Sequence, residues 1–453
     1  MVSLATDATL GLTNLDDEIV VDELELEGEL PRWLAGSLLR TGPARWDLGE
    51  QTVNHWFDGL AMLHRFTIAG GTVSYANRFL RTKAFAGAKN GTLGYREFAT
   101  DPCRSAFQRV ASLFDPGFTD NANVNVAKVM GKWVALTETP MAVQFDPETL
   151  ETLGVSKIPA TTGGLAHPHG DGAKALSMGI QMIGRPHYRL IEDDRIVAKL
   201  PVRRPAYIHS FAMTERFAVL IEHPYTVNPL KLGFGNRPFI ENFRWAPQDG
   251  TRMVVFDRQS GEHVGDWQTD PFFVFHNVNA FEDGAEIVID LCAYDDAEIV
   301  GALGLQRLRA GAPIPKSYLE RFRLAPGGRV ERTRLSDESL ELPQIDYGRA
   351  NGRPYRYAWG AGARADFFDT IVKVDVTTGE TRTWSEGYPG EPVYVGRPGR
   401  TDEDDGVLLS VVLEPERGAS SMVVLDAASL TELARARVPH HIPFGFHGQF
   451  SRA

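Results

Sequence analysis

Cysteine is almost absent: Cys103 and Cys292 are the only two in 453 residues, too few for a disulfide framework or for a thiolate-ligated zinc or iron–sulfur site. Any metal would have to be held by nitrogen or oxygen. Positive charge is short as well, with 47 Lys+Arg against 59 Asp+Glu and a net charge of −12. No Lys/Arg-dense tract could track a phosphate backbone, so no nucleic-acid partner is expected. No run of about 18 apolar residues occurs, which argues against a membrane-spanning helix. The acidic opening, MVSLATDATLGLTNLDDEIVVDELELEGEL, lacks the basic and then apolar pattern of a signal peptide, and a cytoplasmic protein is predicted. P-loop, Rossmann glycine, GxSxG and HExxH patterns are all missing.

What the chain has in quantity is turns, with 44 Gly and 27 Pro spread throughout, between short alternating apolar runs that predict mostly β structure. A strand, an Asp-x-x-[Thr/Ser]-[Gly/Leu] turn and a second strand recur at Asp146, Asp257, Asp375 and Asp426. Further hairpins are predicted at 66–75, 281–291, 322–335 and 403–413. Many short hairpins with few helices between them fit a β-propeller of about six to eight blades, with a large irregular β-barrel as the plainer alternative. A single helix is predicted over 101–116, where Phe107, Val110, Ala111 and Phe114 share one face after Asp101-Pro102. It reads as part of a cap on one propeller face. No composition shift or linker divides the chain, so residues 1–453 are expected to form a single domain.

Twelve histidines are present, several in apolar, β-like surroundings: AHPHGD, YIHSF, FHNVNAFED and PFGFHG. A lone buried histidine of this kind is usually a hydrogen-bonded core residue. Four of them, His167, His209, His276 and His447, lie 42, 67 and 171 residues apart, a spacing suited to ligands that converge on a propeller axis from separate blades. Imidazole suits Fe, Zn, Cu or Ni, and softness alone does not choose among them. Four neutral imidazoles with room for further ligands suit Fe(II), whereas zinc hydrolases use three protein ligands in a tetrahedron.

In this order the motifs ELPRWLAGSLLRTGP (29–43), NHWFDGLAMLHRF (54–66), DPCRSAFQRVASLF, LTETP (136–140), AHPHGD, YIHSF, FHNVNAFED, ELPQIDY, GEPVYVGRP and PFGFHG resemble the carotenoid cleavage oxygenases along essentially the whole chain. The resemblance implies an all-β, seven-bladed propeller with a helical or loop cap and a mononuclear iron on its axis. It implies Fe(2+) held by His167, His209, His276 and His447, with Glu138, Glu341 and Glu391 supporting three of those rings through the far nitrogen. His169 is read as a pocket or structural residue. The implied activity is that of an Fe(II)-dependent dioxygenase, with O2 inserted across a double bond of an apolar carotenoid or apocarotenoid. Stilbene-cleaving relatives carry Lys where this chain has Thr137, which argues against a phenolic substrate. Tyr207 and Tyr294 stand where β-carotene-cleaving relatives place tyrosines near the scissile bond, and an aromatic face can stabilise positive character on a polyene. Central cleavage of β-carotene or an apocarotenal to retinal is therefore expected. A stilbene-cleaving dioxygenase, a retinoid isomerohydrolase and a non-catalytic binding propeller are the alternatives. Segment 228–243 interleaves Leu230, Leu232, Phe234, Phe239, Ile240 and Phe243 with Lys231 and Arg237, and peripheral membrane contact is expected there. Cys103 stands where an animal relative is lipidated, but nothing in this sequence argues for its modification.

Overall fold

In a computed structural model, the described residues are 8–93, 96–101, 118–157, 163–170, 174–182, 184–193, 195–234 and 237–453. Their strands build seven antiparallel blades around one axis, a seven-bladed β-propeller. Blade 1 takes its innermost strand from the end of the chain, Gly448–Arg452, which pairs with Gly36–Arg45 (Leu38 opposite Phe450). Blades 2 to 6 start from the innermost segments Asn125–Val129, Gly163–Gly164 with His169–Gly170, Ala212–Met213, Phe273–Asp283 and Glu341–Gln344. Blade 7 starts from Tyr388–Pro389 with Val393–Gly396, and its outer rim is completed by the early strand Glu25–Gly28 against Glu432–Arg437. Early and late segments of the chain thus both supply strands where the ring closes.

Because a blade has neighbours on both sides, its strands are apolar on both faces. In Gly406–Glu414, Val407, Leu409 and Val411 pack towards blade 1 beside Leu38 and Phe66, while the alternate residues Leu408 and Val412 pack towards blade 6 beside Trp359 and Ile371. The two-residue period of the strand sends successive side chains to opposite neighbours. At roughly 1.5–3 kcal/mol per fully buried aliphatic side chain, these inter-blade layers hold the ring together.

The recurring aspartate turn lies at the outer rim of blades 2, 4, 6 and 7. One oxygen of Asp257 accepts from the backbone N–H of Gln259 and Ser260, at 3.0 and 2.9 Å, Asp146 and Asp375 act alike, and Asp426 accepts from the Ser429 N–H at 2.8 Å. The fifth residue of each turn has positive φ: Leu150 59°, Gly261 73°, Gly379 77° and Leu430 61°. Glycine is at ease there. Leu150 and Leu430 are almost fully buried, and that burial offsets the left-handed backbone.

Short helices and loops roof the end of the axis that carries the chemistry. Trp56 N–H donates to Leu303 O at 3.2 Å and Leu305 N–H to Asn54 O at 2.9 Å. The His55 ring nitrogens meet Val300 O and Phe57 N, and burial lowers its pKa to about 4, so the imidazole is a neutral tie between two insertions. Residues 102–116 of the predicted helix, with Cys103, lie outside the described residues. Among the described residues no helix is long and apolar enough to cross a membrane.

Candidate metal centre

The axis gathers one group from every blade. In blade order these are His447, Glu138, His167, His209, His276, Glu341 and Glu391. Six come from the innermost strands or the turns beside them, and Glu138 from the loop between Lys132–Leu136 and Met141–Phe145. One ligand atom from each of the four histidines lies within 4.8 Å of all the others. The Nε2 atoms approach in sequence: His167 to His209 at 3.0 Å, His209 to His276 at 3.2 Å and His276 to His447 at 3.0 Å.

Carboxylates set the polarity of these rings. His209 Nδ1 pairs with Glu138, His276 Nδ1 with Glu341, and His447 Nδ1 with Glu391 at 2.8 Å. An ionised carboxylate can only accept, so Nδ1 carries the proton and Nε2 keeps a lone pair aimed at the axis. Lone pairs at 3.0–3.2 Å repel one another unless a cation stands between them. Nitrogens about 2.1 Å from a shared metal lie roughly 3.0 Å apart at a right angle and roughly 3.4 Å apart at the tetrahedral angle. The observed spacings fall in the range that a shared metal requires, and the donor set fits a divalent ion.

Electrostatics agree with that polarity. Burial, and then the neighbouring imidazoles, hold the His167 pKa well below its usual value, which keeps the ring neutral and able to ligate. Burial also lowers His209, against the pull of Glu138. Glu341 and Glu391 are pushed up by burial but drawn below their usual value overall by His276 and His447 respectively. Glu391 is further fixed by Gln344 at 2.9 Å and the Gly448 N–H at 2.8 Å.

A cavity of about 230 Å3 opens onto His209, His276 and His447. Its wall is mostly apolar, with Phe57, Phe98, Phe275, Phe446 and Ile299 among its residues, and both Thr137 and Tyr294 face it. Tyr207 is not one of the lining residues. Its ring packs on Phe98, Phe273 and Phe275, and its hydroxyl donates to Glu138 at 2.6 Å, the same oxygen that meets His209. Burial and then the Glu138 charge push the Tyr207 hydroxyl well above its usual pKa, so it remains a donor. His169 stands apart, bonded to Tyr347 and to the Phe211 carbonyl.

Sequence reasoning passed over Glu97, Thr119, Asn121 and Asn123, which line the same cavity. For Thr119, Asn121 and Asn123 the signal is a cluster of polar residues, TDNANVN, at the start of a strand; Glu97 has none of this kind. Burial, then the charge of Asp58, pushes the Glu97 carboxyl well above its usual pKa. In segment 228–243, Leu232, Ile240 and Phe243 are buried and Phe239 is half-buried against Phe98. Leu230 is 72% exposed beside exposed Lys231, and the Phe234 side chain lies outside what is described.

Comparison with known proteins agrees with the site. The family model described as retinal pigment epithelial membrane protein matches residues 12–452. The mitochondrial carotenoid-cleaving dioxygenase of Macaca fascicularis is 35% identical over 503 residues, covering 93% of this chain and 90% of its own. The β,β-carotene 15,15′-dioxygenase of Mus musculus is 32% identical over 521 residues, covering 96% and 90%. A solved variant of Synechocystis apocarotenoid oxygenase superposes with a TM-score of 0.89 at 27% identity, over 99% of both chains. With a family model along almost its whole length and relatives above 30% identity over the same span, this propeller belongs to the carotenoid oxygenase family.

Proposed function

We infer that the protein is an Fe(II) dioxygenase that cleaves a carbon–carbon double bond of a carotenoid or apocarotenoid, as a single domain built around the four-histidine centre. The observation that carries this reading is the convergence of four Nε2 atoms, three of them on carboxylate-backed rings, at the floor of an apolar cavity. His167, His209, His276 and His447 would hold the iron, and Glu138, Glu341 and Glu391 would fix the ring tautomers. When bound, iron supplies the capacity to bind and activate O2 for insertion across an alkene.

The chain's own residues then select and orient the substrate. Phe57, Phe275 and Phe446 offer flat apolar surface beside the histidines, which suits a polyene and excludes water from the reacting bond. Tyr294 faces the cavity with its hydroxyl kept protonated by burial and by Glu341, and its ring supplies a face for positive character on the polyene. Thr137 puts no cation at the position preceding Glu138, which disfavours a phenolate there. Central cleavage to retinal is the outcome we propose. Peripheral membrane contact would be made by 228–243, with Leu230 as the exposed apolar residue and Lys231 and Arg237 as exposed cations. Leu230→Ser should then lower liposome partitioning and leave cleavage of a detergent-dispersed substrate unchanged.

The test of the activity is aerobic incubation of iron-loaded protein with β-carotene, an apocarotenal, a retinyl ester and resveratrol. Retinal from the first two, carrying label from labelled O2 after control for exchange with water, is the expected result. Cleavage of resveratrol with both polyenes left intact would overturn it.

A further inference from the structure

Arg40 is the buried charge that the metal reading leaves unexplained. It lies in blade 1 on the strand beside the innermost one, 5% exposed. Its Nη2 donates to the Phe446 carbonyl at 3.0 Å, one residue before His447. Its Nη1 has no hydrogen-bond partner among the described residues, and the side chain borders a second cavity of about 20 Å3, room for one water. Burying an arginine with one arm unbonded is costly unless a nearby negative charge repays it. Burial lowers the Arg40 pKa, and the charge it feels in return is that of Glu391.

Two glycines make room for this side chain. A Cβ on Gly390 would fall 3.2 Å from Arg40 Nη2, and one on Gly448 would fall 2.5 Å from its Cγ and 2.8 Å from the Leu39 carbonyl oxygen. Neither is in the left-handed region, so space rather than backbone conformation calls for glycine there. Gly390 precedes Glu391 and Gly448 follows His447. The chain is thus opened beside both members of the Glu391–His447 pair to admit one cation.

We propose that Arg40 is a positioning residue for the metal centre: its guanidinium anchors the Phe446 carbonyl, packs where Gly390 leaves room beside Glu391, and thereby fixes the direction in which His447 presents Nε2. The proposal rests on the reading of the four histidines as metal ligands. It also balances charge. Three carboxylates around a divalent ion leave one negative charge in a buried site, and Arg40 supplies the matching positive one. Losing an outer-shell partner of a ligating histidine typically costs about 10–100-fold in metal affinity.

Chelator-stripped protein titrated with Co(II), whose visible absorption reports the ligand set, tests this without recourse to activity. Arg40→Gln should bind Co(II) about 10-fold or more weakly, with altered absorption bands. Gly390→Ala keeps every charge and every ligand but crowds Nη2, and it should weaken binding about threefold with metal-free thermal stability near wild type. Arg189→Gln, which removes another buried guanidinium with an unbonded arm in blade 3, should lower thermal stability and leave Co(II) affinity unchanged. If Arg40→Gln fails to fold, Gly390→Ala decides. Wild-type affinity and spectrum in folded Arg40→Gln, or in Gly390→Ala, overturn the role of Arg40 alone. A wild-type protein that binds neither Co(II) nor Fe(II) overturns the metal centre itself.

Discussion

The outer rim and the axis of this propeller are built by opposite rules. At the rim, four blades turn with the same five-residue device, in which an aspartate accepts backbone N–H groups up to three residues ahead. At the axis the seven blades contribute four histidines and three glutamates, and their bonds join residues 56, 65 and 71 positions apart. A local device can be reused because its partners travel with it. The axial groups cannot be permuted, since each is defined by the blade it faces. Rim substitutions should therefore change stability and leave the centre alone, and axial substitutions should do the reverse.

The largest expected effect is at the axis. Removal of His276, which meets two other Nε2 atoms, should abolish metal retention and cleavage together, while Glu341→Gln should lower metal affinity or rate by about 10–100-fold. His263, exposed in blade 4 and bonded to Asp266 at 2.7 Å, should be dispensable. Metal analysis of the three purified variants checks the ranking, and full metal retention in His276→Ala would break the comparison at its strongest point.

Tyr207 sharpens the comparison, because its ring is in the core while its hydroxyl reaches the axis. A role through the aromatic face predicts that Tyr207→Phe is nearly silent. The bond from its hydroxyl to Glu138 predicts otherwise, since a hydrogen bond to a charged group is worth about 1.5–3 kcal/mol, or roughly 10- to 100-fold in rate at 1.36 kcal/mol per decade. Steady-state rates for Tyr207→Phe and Tyr207→Leu separate the two: similar losses in both favour the hydroxyl, and loss in Leu alone favours the ring.

The same contrast explains what the chain discloses by itself. The four aspartate turns and the hairpins are readable because Asp, Thr or Ser, and Gly or Leu recur at fixed offsets, and they lead to a propeller of about six to eight blades with an irregular barrel as the alternative. The two leucines at positive φ follow from the turn pattern, although only their burial explains why leucine is tolerated. The axial set is different. Spacing suggests four converging histidines, but the pairing of Glu138 with His209, across an intervening blade, is not encoded locally and rested on resemblance. Tyr207 illustrates the remaining difficulty, since sequence position placed it near the substrate while packing put its hydroxyl on a carboxylate. Arg40, in a strand of otherwise ordinary pattern, carries no local sign of its partner at Phe446.

A rim leucine gives a smaller and purely energetic effect. Leu430→Gly relieves about 1–2 kcal/mol of left-handed strain, but it empties a site packed against Trp359 and Leu425, where loss of a buried leucine costs about 2–5 kcal/mol. Net destabilisation of about 1–3 kcal/mol should appear in urea unfolding, with metal affinity unchanged. A gain in stability would show that strain, not burial, governs the turn.

The smallest effect is a pH dependence confined to the rim. The N–H of Ser260, and then the Arg216 guanidinium, hold the Asp257 carboxyl at about 2, below the roughly 3.9 of an unfolded chain. A group depressed on folding stabilises the native state above its unfolded pKa, and that contribution disappears as pH falls through the folded value. The window therefore runs from about 4 down to about 2. Asp257→Asn should be slightly less stable than wild type at pH 7, and the gap should close across that window because the wild-type carboxyl then becomes neutral too. Urea midpoints at pH 7, 4 and 2.5 measure it. Added salt should reduce the Arg216 share, which is solvent-exposed, more than the share from the backbone N–H groups. A gap of constant size from pH 7 to 2.5 would mean that the turn is held by shape rather than by the charge of its aspartate.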